Sequence, residues 1–138
     1  MPRKDEIHDA IKNALIKDGW TIIADPLVIA YDDVQAFADL AAERTLAAEK
    51  EGRRIAVEIK TFQRASPIRD FEEALGQYTF YRELLALANL DYALHLAVSD
   101  EANTRVFERK ALREITARSG IALIVIDLVT EEIVKWKP

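Results

Sequence analysis

The stretch "RRIAVEIKTF", residues 53–62, decides the fold because it has the pattern of a buried strand with one polar flank. Three β-branched residues alternate along it and therefore share one face: Ile55, Val57 and Ile59. Glu58 and Lys60 lie together on the opposite face. An acid and a lysine two residues apart on such an apolar strand indicate that the second face serves something other than packing.

The composition indicates one globular domain over residues 1–138, with 50% hydrophobic and 31% charged residues. The chain has no cysteine, which excludes disulfides and thiolate metal sites. The start "MPRKDEIHDA" lacks the apolar core of a signal peptide, and no apolar run approaches the ~20 residues that span a bilayer. We therefore expect a cytoplasmic protein that does not bind membranes. The net charge of −5 argues against a dedicated nucleic-acid binder, but it suits a cluster of metal-binding carboxylates or a basic partner.

The rest of the pattern predicts a sheet flanked by helices. Helices are predicted over 3–18, 70–88 and 101–118, and strands over 20–25, 34–50, 53–62, 92–99, 121–128 and 131–137. Asp70 and Glu73 have capping-box spacing, although Ser66-Pro67 would start that helix a turn earlier. The alanine content of residues 36–48 leaves helix as an alternative there. The predicted class is α/β (α+β), with a central mixed sheet and the order α-β-β-β-α-β-α-β-β.

Glu58 and Lys60 have the chemistry of a metal-assisted hydrolytic site. Residues i and i+2 of a strand lie about 6–7 Å apart on one face. Mg²⁺ takes oxygen ligands, usually one or two carboxylates with water and phosphate oxygens, and a neighbouring lysine offsets the phosphate charge. A second acid has to come from elsewhere. Asp39 on the preceding extended segment is the first candidate, and Glu43 and Glu49 are alternatives.

The pattern "FADL…IAVEIKTF…EALGQY" resembles the PD-(D/E)xK nuclease superfamily, which has the restriction-endonuclease-like fold. The resemblance implies that Asp39 and Glu58 bind Mg²⁺ or Mn²⁺ and that Lys60 helps to activate water. It also implies that Gln77, in "GQY", faces the site from the following helix. Many members add an acid from the first helix, for which Asp9 is the candidate and Glu6 the weaker alternative.

Longer strings narrow the resemblance. They are "KDEIHDAIKNALIKDGWTIIADPL", "DLAAERTLAAEKEGRRIAVEIKTF", "FEEALGQYTFYRELL" and "IVKWKP", and they resemble the XisH family over nearly the whole chain. Members of that family are called fdxN-element excision controlling factors and are known from cyanobacteria. The resemblance implies a role in the controlled excision of a DNA element. A site-specific recombinase makes the cut in that setting, and XisH and XisI proteins are accessory factors.

The spacing of 19 residues between Asp39 and Glu58 leaves the second ligand open. If the turn lies near Gly52, a regular hairpin pairs Glu58 with about residue 46. Asp39 would then lie further along its segment unless a bulge or bend returns it, which keeps Glu43 as a rival.

Three functions remain open at this stage. One is a Mg²⁺-dependent DNA endonuclease that uses Asp39, Glu58, Lys60 and Gln77. Another is a non-catalytic accessory protein on the same scaffold, which binds a partner or the recombinase complex. A third is a nuclease that a partner restrains, as in a toxin–antitoxin or restriction pair. The expected partner is an XisI-like protein, with DNA and a second copy of the chain as further alternatives.

Several other side chains bear on these alternatives. Basic residues crowd the segment around the third strand and would suit a DNA backbone: Arg44, Lys50, Arg53, Arg54, Lys60, Arg64 and Arg69. Tyr81 shares a helix face with Gln77. His8, on the polar side of the first helix, is an alternative phosphate contact. We expect His95 to be a structural histidine of the sheet, and Trp20 and Trp136 to lie in the core.

Overall fold

The structure, a computed structural model, describes residues 3–44, 52–63 and 65–138. The strands are β1 (Thr21–Ala24), β2 (Leu27–Tyr31), β3 (Val34–Ala38), β4 (Leu40–Arg44), β5 (Arg53–Ile59), β6 (Ala93–Ser99), β7 (Leu123–Asp127) and β8 (Glu132–Lys137). The helices are α1 (Lys4–Lys17), α2 (Pro67–Leu87), α3 (Asp100–Ala102), which continues as a π-helix over Asn103–Phe107, and α4 (Lys110–Arg118).

Six strands form one mixed sheet in the order β1-β4-β5-β6-β7-β8, and β2 and β3 form a separate two-stranded sheet. The three central strands, β5, β6 and β7, run parallel to one another. The outer pairs β1–β4, β4–β5 and β7–β8 are antiparallel. The prediction of a mixed sheet flanked by helices is therefore confirmed.

Helices cover both faces of the sheet, so a strand such as β5 is buried on two sides. Residues Ile55, Val57 and Ile59 pack with Ile11 and Leu15 of α1 in one apolar cluster. The other cluster joins the sheet to α2, the π-helix and the β2–β3 hairpin. Glu58 points to that second side, because it alternates with the α1-facing residues.

The helix α2 begins at Pro67, the earlier of the two predicted starts. Ser66 is its N-cap, and the Ser66 hydroxyl accepts a hydrogen bond from the Arg69 backbone N–H at 3.2 Å. The capping box predicted from Asp70 and Glu73 is wrong, because both residues lie inside the helix. Asp70 is instead buried in the first turn.

The predicted element order is wrong between α1 and α2, where five strands replace the expected three. Residues 27–31 were not assigned to a strand, yet they pair with β3 through a turn at Asp32 and Asp33. Asp32 adopts a φ of 53°, a left-handed conformation that aspartate tolerates in turns. Leu27 and Ile29 are buried in the core while Val28 is exposed, which is the alternation of a strand covered on one face.

The predicted second strand, 34–50, divides at Asp39 into β3 and β4. Ala38 pairs with Leu27 in the small sheet, whereas Leu40 pairs with Val57 in the large sheet. The chain therefore changes sheets at Asp39. The prediction for residues 45–50 lies outside the described residues.

The third predicted helix, 101–118, is interrupted. The buried Asn103 side chain donates to Glu108 Oε1 at 3.0 Å and accepts from Lys137 Nζ at 2.6 Å, and the Asn103 carbonyl accepts from Glu108 N at 2.9 Å. These contacts hold a wide turn, after which the helix restarts at Lys110. Throughout the described residues, no helix is both long and apolar enough to cross a membrane.

Candidate active site

The register of β4 on β5 brings Asp39 to Glu58. Leu40 lies opposite Val57, so the next position on each strand sets Asp39 against Glu58. The expected pairing of Glu58 with about residue 46 is wrong, because Arg53 pairs with Arg44, and the same register sets Glu58 against Asp39.

Asp39 is fixed by the backbone of β5. Its Oδ2 accepts a hydrogen bond from the Ile59 N–H at 2.8 Å. The next N–H along, that of Lys60, donates to Ala97 O of β6 at 3.0 Å. The Asp39 carboxylate thus takes the place that a β4 carbonyl would hold in a regular ladder, which restricts its position.

Glu58 is a buried acid, with 7% of its surface exposed. Burial, first of all, and the neighbouring Asp39 carboxylate raise the pKa of Glu58 to about 8, while Lys60 acts in the opposite direction. Glu58 Oε1 is buried and has no hydrogen-bond partner among the described residues. A lone buried carboxylate oxygen beside a second carboxylate is the kind of donor pair that a cation would stabilise.

Lys60 lies next to this carboxyl pair. Its Nζ is 3.5 Å from Glu58 Oε2, and a quarter of its side chain remains exposed. The ammonium therefore contacts the acid on one side and reaches the surrounding clefts on the other. A cation in that position attracts an anionic group such as a phosphate oxygen.

Gln77 and Tyr81 face the pair from α2. Gln77 Nε2 donates to the Tyr81 hydroxyl at 2.9 Å. Burial raises the pKa of the Tyr81 phenol, the charges of Glu58 and Asp39 raise it further, and the bond from Gln77 partly offsets them. Tyr81 therefore stays protonated, and its hydroxyl lies within the electrostatic reach of both acids.

Open clefts surround Lys60. One, of about 670 Å³, is formed by residues 35–37 of the hairpin together with Lys60, Glu73, Gln77 and Phe80. A smaller cleft, of about 170 Å³, lies between Lys4, Lys60 and the first turns of α2. The polar face of β5 is thus buried from bulk solvent but reached from the hairpin side.

The α1 side of the site includes Asp9. A cavity of about 540 Å³ is lined by Lys4, His8, Asp9 and Asp39. His8 Nε2 contacts Asp25 Oδ1 at 2.9 Å, so an aspartate already engages that ring. Glu6 is turned to the helix start, where its carboxylate accepts from the Arg3 N–H at 3.1 Å.

Glu43, the alternative acid within the described residues, does not reach Glu58. Glu43 lies opposite Arg54, which is about 13 Å along β5 from Glu58 at ~3.3 Å per residue. Its Oε1 contacts Arg54 Nε at 3.6 Å. Glu49, together with Lys50 and Arg64 of the basic set, lies outside the described residues. Arg44, Arg53 and Arg54 gather at the far end of β5 instead of at the acid pair.

The donor set fits a hard divalent cation with few protein ligands. No group of three or more His, Cys, Asp or Glu side chains that could enclose a metal occurs within residues 3–44, 52–63 and 65–138. Mg²⁺ commonly binds through one or two carboxylates and completes its octahedron with water and substrate oxygens. Asp39 and Glu58 supply such a pair, and Asp9 lies across the adjoining cavity.

Sequence reasoning missed two residues at these clefts. Lys4 lines the cavity beside Asp39 as well as the smaller cleft beside Lys60. Glu73 lines both clefts next to Lys60, although its spacing from Asp70 indicated a capping role. A signal was available for Lys4, since it lies one helical turn from His8 on the side of α1 that carries Asp9.

The sequence and the fold of the chain are similar to those of known proteins. The family described as XisH protein matches residues 1–134. A crystal structure of an XisH family protein from Nostoc punctiforme PCC 73102 is 36% identical, covers 97% of this chain and 100% of its own, and superposes with a TM-score of 0.87. A crystal structure of an fdxN element excision controlling factor protein from Anabaena variabilis is 35% identical. It covers 98% of this chain and 100% of its own, with a TM-score of 0.86. No curated protein matches the chain. The chain therefore belongs to the XisH family.

Proposed function

We propose that the chain is a metal-dependent phosphodiesterase of the PD-(D/E)xK type that acts on DNA in the controlled excision of a DNA element. The observation that carries the proposal is the meeting of Asp39 and Glu58 across β4 and β5, with Lys60 Nζ 3.5 Å from Glu58. The excision role is supported by the name of the relative from Anabaena variabilis.

Asp39 and Glu58 would hold Mg²⁺ or Mn²⁺, with Asp9 as an outer contributor. A bound divalent cation supplies a Lewis acid that stabilises charge developing on a phosphodiester. The chain itself supplies two acids held close together, one of them buried with an uncompensated oxygen. Their mutual repulsion is relieved by a cation, so the protein favours binding at this position.

Lys60 acts on the substrate side of the pair. Its ammonium offsets the negative charge of the scissile phosphate and orients the attacking water by hydrogen bonding. The Gln77–Tyr81 pair adds two polar groups on α2 that position the phosphate or this water from above the strand. Residues 35–37 of the hairpin and Phe80 form walls of the cleft that leads to Lys60.

The test is nicking of supercoiled DNA in Mg²⁺ or Mn²⁺. Lys60→Ala should lower the rate at least about 100-fold, as expected for loss of a charged catalytic group. Lys110→Ala, an exposed lysine at the start of α4, is the matched control and should cut like the parent. Circular dichroism establishes that both variants fold. Cutting by Lys60→Ala at the parent rate would contradict the proposed chemistry.

A second candidate, a non-catalytic factor that binds a protein partner such as an XisI-like protein, is favoured by one surface. Val28 and Phe37 lie opposite each other on the outer face of the hairpin and are 47% and 51% exposed. Phe80, which lines the same cleft as Phe37, is 49% exposed. Exposed apolar side chains that cluster in this way suit a protein contact.

The two candidates separate by paired variants in an excision assay with the partner present. Phe37→Asp should abolish complex formation and excision if binding is the whole function, while Glu58→Gln should leave both intact. The nuclease proposal predicts the reverse for Glu58→Gln, with excision lost and the complex retained.

A further inference from the structure

Another cavity lies at the opposite end of β5, and the proposed active site makes no use of it. It has a volume of about 570 Å³, within the range of small-molecule sites. We call it the tryptophan pocket. Its described lining includes Trp20, Arg44, Arg53, His95 and Trp136, together with one acid, Asp91. Along β5, Arg53 and Glu58 are separated by roughly 17 Å at ~3.3 Å per residue, so the two sites are distinct.

The pocket forms where α1 stops covering the sheet. Gly19, with a φ of +95°, closes the helix, and the Trp20 N–H donates to Leu15 O at 3.0 Å. The face of the sheet continues past this point without the helix. Trp136 of β8 lies on it, opposite Ile124, which belongs to the α1-side core.

Three aromatic rings contact one another in the pocket, and we call them the platform. The ring centroids of Trp20 and Trp136 are 5.8 Å apart with their planes inclined by 36°, and His95 meets Trp136 edge-on at 5.3 Å. Trp136 was predicted to be a core residue, yet 36% of it is exposed. Burial lowers the pKa of His95, so its ring is neutral and adds to the platform without adding charge.

Arginines border the platform. Arg44 and Arg53 lie directly opposite each other on β4 and β5, so their side chains are on the same face of the sheet. The Arg44 guanidinium is 5.9 Å from the centre of the Trp20 ring. Asp18 Oδ2 accepts from both Trp20 Nε1 at 3.2 Å and Arg44 Nη1 at 3.5 Å, which fixes the indole and the guanidinium relative to each other.

We propose that the tryptophan pocket binds a nucleotide, with the base stacked on Trp136 and the phosphate held by Arg44 and Arg53. Indole rings stack on any base, and the planar guanidinium fork matches a phosphate. Two guanidinium groups on one side of the pocket attract an anion. This chemistry is shared by a free nucleoside monophosphate and by a nucleotide of single-stranded DNA. The site does not depend on the nuclease chemistry.

Intrinsic fluorescence reports on this pocket, because Trp20 and Trp136 are the only two tryptophans in the sequence. The full chain is titrated with deoxyadenosine monophosphate, with a 5′-phosphorylated single-stranded tetranucleotide and with inorganic phosphate. Saturable quenching by the first two, and not by phosphate, is the expected result. Equal affinities would identify the free nucleotide as the ligand, and an oligonucleotide that binds at least about tenfold more tightly would identify single-stranded DNA.

Variants localise the binding, measured by calorimetry. Arg53→Gln and Trp136→Leu should each weaken it about tenfold, through loss of a charged hydrogen bond and of a stacking surface. Arg113→Gln, an exposed arginine of α4, and Glu58→Gln should bind like the parent protein. The absence of saturable quenching by either nucleotide would overturn the proposal, and so would unchanged binding in both pocket variants.

Discussion

The two faces of β5 are about equally buried and differ in chemistry. The face toward α1 carries Ile55, Val57 and Ile59, all 6% exposed or less, within a continuous apolar cluster. The face toward α2 carries Glu58, which is 7% exposed. The first face stabilises the fold by excluding water from apolar surface. The second destabilises it, because a buried acid beside another acid loses hydration without full compensation. The proposed cation site would offset this cost, because a divalent cation compensates the charge of the two acids.

The largest expected effect comes from placing an acid on the apolar face of β5, which packs against α1. Val57→Asp should lower the free energy of unfolding by about 4 kcal/mol or more, because α1 offers its position no polar partner in the apolar cluster. Urea denaturation measures the change. Val134→Asp, at a position 59% exposed on β8, is the control and should stay within about 1 kcal/mol. A small loss for Val57→Asp would mean that the two faces are not different.

The next effect is a gain of stability when the buried acid is neutralised. The pKa of Glu58 is about 8 in the folded protein, against 4.5 for the ordinary group, so the folded state binds the extra proton between these values. The contribution of this group to stability is therefore fully present below about pH 4.5 and is lost as the pH rises through about 8.

Glu58→Gln should accordingly raise the free energy of unfolding at pH 8.5 by about 3 kcal/mol without added cation, and should flatten its decline with pH. Denaturation at a series of pH values measures both. Glu43→Gln, on the neighbouring strand and in contact with Arg54, should change stability by less than about 1 kcal/mol. A Glu58→Gln variant less stable than the parent at pH 8.5 would show that the acid is a structural partner.

The smallest expected effect concerns Gln77 and Tyr81, the polar pair of α2 that faces β5. Tyr81→Phe removes the acceptor of the Gln77 amide and should cost about 1 kcal/mol in stability. If the pair positions substrate, kcat for nicking should fall while the KM for DNA stays near the parent value. Tyr92→Phe, at the start of β6 and distant from Glu58, provides the control. If Tyr81→Phe has the same kcat as the parent protein, Gln77 and Tyr81 contribute only to packing.

The sequence predicted the parts of the fold that depend on periodicity. The alternation in residues 53–62, the apolar run before Ser99 and the helix after Ser66 all correspond to observed elements, because local burial patterns determine them. The break in the 101–118 helix depends on Asn103 and on Lys137, which is distant in sequence, so no local pattern predicts it.

The candidate site was harder to predict from the sequence, because it depends on strand register. The partner of Glu58 is decided by the change of sheets at Asp39 and by the pairing of Arg44 with Arg53, and neither follows from residue spacing. A regular hairpin would have favoured Glu43. Trp136 was misassigned for a related reason, since the end of α1 leaves its part of the sheet uncovered, and helix length relative to the sheet is a tertiary property.

The central claim is that Asp39 and Glu58 together bind a hard divalent cation, and anomalous diffraction from crystals soaked in Mn²⁺ tests it most directly. We predict one strong peak beside the carboxylates of Asp39 and Glu58, which would hold the ion. The peak should disappear in Glu58→Gln crystals and persist in Glu43→Gln crystals. Fully soaked crystals with no manganese at this position, or with a peak that survives Glu58→Gln unchanged, would contradict the account.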